Sequence, residues 1–152
     1  MRILAFLLCI IMLSCAEPYN YDIDPALEPI VNEFFYEAEL RGKYYNRNIT
    51  VSFNKEMKEA GVYHIGHNVV EMNYEFVMKH IYVDSANYNF VKLAVFHELG
   101  HWVGKEHRGG ISIMNTNPDF GGCACGDFIG MVQFYNKDKA NQKPIIDEFF
   151  AK

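Results

Sequence analysis

From residue 25 onward the hydrophobic positions fall into separable rhythms. Leu27, Ile30, Val31, Phe34, Phe35 and Ala38 recur at helical spacing behind Asp24-Pro25, a carboxylate cap with proline at the first helical position. Gly42 stands where such a helix can end. The period then shortens to two. Asn48–Phe53 (NITVSF) reads as a strand, Gly61–Val70 and Lys79–Asp84 (KHIYVD) are further strand candidates, and Met72–Met78 reads as strand or loop. From about Ala86 to Val103 the helical period returns. Val91, Ala94, Val95 and Trp102 mark one side, and Phe90, Leu93, His97 and His101 mark another. A helix apolar on more than one side is predicted to be central and buried. Lys105–Gly126, with Gly109-Gly110, Pro118 and Gly121-Gly122 as breakers, reads as loop. Asp127 is the expected cap of a helix through Phe128, Met131, Val132 and Tyr135. Pro144 is the expected start of a last one bearing Ile145, Ile146, Phe149 and Phe150. The order predicts an α+β chain.

Length and composition narrow this picture. With 152 residues, half of them hydrophobic, the chain suits one domain with a real core. A formal charge of −5 weighs against a nucleic-acid partner, because phosphate binding wants a basic face. Arg2 followed by the apolar run Ile3–Leu13 is too short to span a bilayer and reads as a secretory signal peptide over residues 1–14. Met12-Leu13-Ser14-Cys15 resembles a bacterial lipoprotein processing box. That resemblance implies that Cys15 is the acylated first mature residue and that several acyl chains anchor it in a membrane. Simple cleavage and secretion is the alternative. Either way the expected location is extracytoplasmic, in a bacterial cell envelope or beyond it. Residues 16–24 read as a linker, and 25–152 as the working domain. Cys123 and Cys125 could pair, remain thiols or bind metal.

Candidate chemistry concentrates in His97–His107 (HELGHWVGKEH), which holds three of the six histidines. On a helix, His97 and His101 differ in direction by about 40° and stand about 6 Å apart along the axis. Both imidazoles can therefore reach one point at the roughly 2.0–2.1 Å that zinc demands. Glu98 leans over the edge of the same site, poorly placed as a ligand but well placed to act on a water. A catalytic tetrahedral site needs a third protein ligand. On a continuing helix His107 would lie about 9 Å further along and out of reach. A left-handed Gly104 would turn the chain and bring His107 back. The whole spacing would arise by chance in fewer than about one in ten thousand shuffled chains of this composition, so surface histidines are a poor explanation.

His97-Glu98-x-x-His101-x-x-Gly104-x-x-His107 resembles the extended zinc signature of the metzincin metallopeptidases, with spacing most like the matrixins and similar small bacterial branches. Ser112-Ile113-Met114-Asn115 resembles their Met-turn. The resemblance implies one catalytic Zn2+ on His97, His101 and His107, with Met114 as an apolar floor beneath them. It implies a small mixed twisted sheet with a backing helix and an active-site helix, then a short, mostly irregular or helical C-terminal subdomain. It also implies a monomeric zinc endopeptidase acting on peptides or proteins, with Glu98 as general base and no covalent intermediate. The peptide is expected to lie along an edge strand, taken as the one preceding Lys79–Asp84. Residues Asn115–Asp119 are expected to wall the pocket beyond the cut bond. His64, His67 and His80 read as surface or strand histidines. The alternative function is a non-catalytic zinc-binding envelope lipoprotein acting as a binding module, against which the glutamate beside an open metal position argues.

Overall fold

The computed structural model describes residues 22–108, 112–114 and 125–151. Its elements are α1 (Glu28–Glu39), β1 (Thr50–Asn54), β2 (Gly61–His64), β3 (Val69–Asn73), α2 (Tyr74–His80), α3 (Ser85–Trp102), α4 (Cys125–Lys137) and α5 (Lys139–Phe150). The chain is thus mixed α+β. Its three-stranded sheet has the order β1-β3-β2, with β1 parallel and β2 antiparallel to β3.

The first helix follows its apolar stripe, burying Ile30, Val31, Phe34, Phe35 and Ala38. Its regular turns begin later than expected. Asp24 organises a lead-in turn instead, its side chain accepting from the Ala26 N–H and its carbonyl from Leu27 and Glu28. Gly42 takes φ +70° and lets the Lys43 N–H return to the Ala38 carbonyl. Just before the helix, Ile23 makes a parallel bridge to Val51, so the chain touches the free edge of β1 before leaving the sheet.

Several elements depart from the sequence expectation, among them Met72–Met78, which is the end of β3 and most of α2 rather than strand or loop throughout. Gly61–Val70 is not one strand but β2, a tight turn and the start of β3, because Gly66 (φ +84°) and Asn68 (φ +52°) reverse the chain. Lys79–Asp84 is not a strand. The Asn73 side chain accepts from the Phe76 N–H at 3.0 Å and starts α2, which runs through His80. Asp84 then accepts from the Asn87 N–H at 2.8 Å and starts α3. Two side-chain caps eleven residues apart leave no room for a strand, however β-prone the residues between them. Lastly, Asp127 lies within α4 rather than at its cap. Pro144 likewise lies inside α5, whose first turn is capped by Asp138 accepting from Ala140. The proline removes one helical hydrogen bond there without ending the helix.

The core gathers around α3. Phe34 of α1 stacks edge-on against Phe96 of α3 at 5.2 Å and meets Phe150 of α5 at 5.3 Å. Leu93, Val95, Phe96 and Leu99 are fully buried, and the sheet, α1, α2 and α4 all pack against this helix. Lys92 is buried with them, its ammonium held by Glu33 at 3.1 Å and the Tyr135 hydroxyl at 3.0 Å. A helix clamped on every side cannot rotate, so the direction of each of its side chains is set by the whole fold.

Candidate metal centre

The last two turns of α3 carry His97, Glu98, Gly100 and His101. Gly104 follows with φ +81°. In that left-handed conformation it lets the Lys105 N–H return to the Gly100 carbonyl at 2.8 Å, and the chain folds back along the helix end. His107 is thereby delivered to the same point as the two helical imidazoles. Its Nε2 lies 3.2 Å from Nε2 of His97 and 2.9 Å from Nε2 of His101.

The far side of two rings explains why the three nitrogens face one another. His97 Nδ1 donates to the Ile113 carbonyl at 2.6 Å, and His101 Nδ1 donates to the Lys105 carbonyl at 3.0 Å. A carbonyl accepts only, so both Nδ1 atoms carry the proton and both Nε2 atoms present lone pairs. His107 can donate to one of them at most. One proton on His107 Nε2 therefore cannot satisfy both contacts, whereas a cation at the shared point would be met by a lone pair from each ring. Two nitrogens bound tetrahedrally at roughly 2.0–2.1 Å stand about 3.3 Å apart. The observed separations are close to that, and the three donor atoms all lie within 4.8 Å of one another, close enough to hold one metal ion. Burial lowers the pKa of His97 to about 4, with the charges of His101 and His107 adding to the effect. His107 is lowered too, by desolvation first and then by His101. Both are thus kept neutral at pH 7, the form that ligates metal.

Glu98 is half-buried beside this cluster. Desolvation pushes its pKa up to about 7, against a backbone hydrogen bond from Tyr63 that favours the ionised form. That bond joins the carboxylate to β2, the outer strand of the sheet. Gly61, at the start of β2, makes the approach possible: a Cβ there would lie 2.8 Å from Glu98 Cγ and 2.7 Å from Met72 Sδ. Met114 is fully buried, and its sulfur rests against Gly100, where a Cβ would collide with it and would lie 3.1 Å from the Phe149 ring. The segment Ser112–Met114 is tied in turn to the third histidine's neighbour, the Arg108 N–H donating to the Met114 carbonyl at 2.8 Å.

His97, His101 and His107 thus come together; Glu98 follows His97 in the same helix, Gly104 makes the turn to His107, and Met114 packs against Gly100 between the two helical histidines. Cys15, Asn115–Asp119 and Cys123 lie outside the described residues. His64 is exposed and pairs with Glu71 at 3.0 Å; His67 is exposed in the turn; His80 ends α2 with Nδ1 on the Phe76 carbonyl. The strand preceding 79–84 proves to be β3, which is paired on both sides, so the edge facing Glu98 is β2. Sequence reading missed the two carbonyls that orient the imidazoles, the Tyr63 N–H, and the roles of Gly61 and Gly100. Backbone groups leave no mark in a sequence, but a glycine inside a helix and one opening a strand are signals of close approach. Compared with known proteins, the chain is matched by no family model, no curated protein and no solved structure.

Proposed function

We propose that this chain is a zinc-dependent endopeptidase of metzincin type, matrixin-like in its ligand spacing. The observation that carries the reading is the convergence of three imidazole nitrogens, two of them on rings whose tautomer a backbone carbonyl fixes, at a helix whose Glu98 carboxylate is half-buried and held by an edge strand. His97, His101 and His107 would hold the ion, three imidazole nitrogens being a donor set that zinc favours. When bound, zinc supplies Lewis acidity, lowering the pKa of water towards about 7 and polarising a peptide carbonyl. Glu98 takes a proton from the attacking water and returns it to the leaving amine. The Tyr63 N–H holds that carboxylate in place. An extended peptide or protein substrate pairs with the free edge of β2. The buried Met114 thioether backs the ligand helix at Gly100 and fixes its distance from the loop.

In this reading the domain is a monomer, binds no nucleic acid and works outside the cytoplasm, held at a bacterial envelope by lipid on Cys15 or, failing that, secreted. Among the described residues no helix is long and apolar enough to cross a membrane.

The test compares purified protein with Glu98→Ala for zinc content and for cleavage of a quenched peptide, with and without a chelator. Both should hold one zinc per chain. Only the wild type should cleave, and chelation should abolish cleavage. A wild type that binds zinc yet cleaves nothing would mean a binding module instead; one that binds no zinc would end both readings.

A further inference from the structure

Beside the helix end that delivers the third histidine lies an open cleft of about 490 Å³ that the metal chemistry does not use. One wall is Trp102, Val103 and Gly104, the residues between the second histidine and the turn. The other walls are Tyr45, Asn46 and Asn48 from the extended segment after α1, and Asn68 from the β2–β3 turn. It is shallow and open to solvent, with Asn46, Asn48 and Asn68 exposed, so it would take one face of a ligand rather than enclose it.

The lining has an unusual chemical balance. It contains no charged side chain among the described residues. Between Asn46 and Asn48, Arg47 turns away, stacking on Phe35 at 4.7 Å and pairing with Glu39 at 3.1 Å. That alternation is what an extended chain produces, and it leaves Asn46 and Asn48 on a common side. Neither of those amides, nor that of Asn68, hydrogen-bonds to another described residue. In contrast, the amides of Asn54, Asn73, Asn89, Asn136 and Asn141 are all engaged. The indole N–H of Trp102 is likewise uncommitted among the described residues. Its ring is half-buried and fixed by edge contacts with Phe35 at 5.8 Å and Tyr45 at 6.2 Å.

We propose that this cleft binds a neutral saccharide. A hydrocarbon ligand would leave three amides and an indole N–H without partners, which is costly. A charged ligand would find no counter-charge. A sugar ring answers both features. Its vicinal hydroxyl or acetamido groups pair with side-chain amides, which both donate and accept. Its C–H face lies against an aromatic ring. The site is separate from the metal ligands, and the proposal does not depend on the zinc reading.

Trp102 is the chain's only tryptophan, so at constant zinc content a change in its fluorescence on adding sugar reports on this cleft. The full-length protein is titrated with N,N′,N″-triacetylchitotriose, cellotriose and maltotriose, following fluorescence and heat together. At least one should give a saturable fluorescence change with matching heat. Asn46 and Asn48 are exposed, so the double variant N46A/N48A should fold normally, as circular dichroism and unchanged zinc content would show. It should bind that sugar at least tenfold more weakly. The proposal is overturned if none of the three sugars binds, if heat appears without a fluorescence change, or if the variant binds as the wild type does.

Discussion

His97 and His107 are offered to the same point but held there by different means. His97 sits on a helix packed on all sides, is itself buried, and has its ring locked by the Ile113 carbonyl. His107 is exposed on a loop, and reaches the site through one left-handed glycine and a few backbone hydrogen bonds. One imidazole is positioned by the core, the other by a turn. The difference teaches where the candidate centre is rigid and where it can adapt: the helix presets two imidazoles, and the loop brings the third to them.

The largest expected effect tests what the rigid side is for. Glu98→Ala should lower peptide cleavage by about 10²–10⁴-fold, the usual contribution of a general base, while zinc stays bound by all three histidines. Equal loss of zinc and activity would make Glu98 a structural part of the cluster instead.

Replacing the two contrasted ligands separates helix from loop directly. His97→Ala should weaken zinc binding and also destabilise the metal-free protein by about 1–3 kcal/mol, since it strands the buried Ile113 carbonyl and opens a gap beside the core. His107→Ala should weaken zinc binding comparably but leave metal-free stability within about 0.5 kcal/mol, as expected for an exposed side chain. Chemical denaturation in chelator, alongside zinc titration, reads both. Equal stability losses would erase the distinction.

A pH series on the metal-free protein sharpens it further. His97 binds its proton at about 4 when folded, against 6.5 ordinarily, so the unfolded chain takes up more protons between those values. Its contribution is therefore lost as pH falls through that window. Glu98 has the opposite sign: folded it titrates near 7, against 4.5 ordinarily, so its burial costs stability as pH rises from 4.5 to 7. Glu98→Gln should then stabilise the metal-free protein at pH 8 by roughly 1–3 kcal/mol, a gain that vanishes below about pH 4.5. Melting curves with chelator at pH 4 and pH 8 would show it; a gain equal at both would mean that packing, not ionisation, is responsible.

The smallest effect concerns the turn. Gly104→Ala has open space around a Cβ but must hold φ +81°, at a cost of about 1–2 kcal/mol. Zinc affinity should fall about tenfold, and Gly104→Asn, which tolerates that conformation better, should recover part of it. Unchanged affinity in Gly104→Ala would show that the loop finds the site without the glycine.

Legibility followed the physics of each signal. The buried faces of α1 and α3 were readable because an amphipathic or all-apolar period survives any detail of packing. The histidine spacing was readable for the same reason: four residues on a helix fix a direction. KHIYVD was misread because β-branched and aromatic residues report a half-buried surface, whereas Asn73 and Asp84 report where helices begin, and capping prevailed. The turn at Gly66-His67-Asn68 was passed over inside a β-prone run, although glycine and asparagine are the residues that accept positive φ.

By itself, the sequence determined the α+β class, the central helix with His97, Glu98 and His101 on adjoining faces, and the glycine placed to turn His107 back. These follow from local periodicity and backbone stereochemistry, which act over a few residues. Only the tertiary structure decided which strand lies at the edge beside Glu98, which carbonyls choose the tautomers of His97 and His101, and how Gly61 and Gly100 make room for Glu98 and Met114. Those are contacts between residues far apart in the chain, set by how the core closes, and no local pattern encodes them.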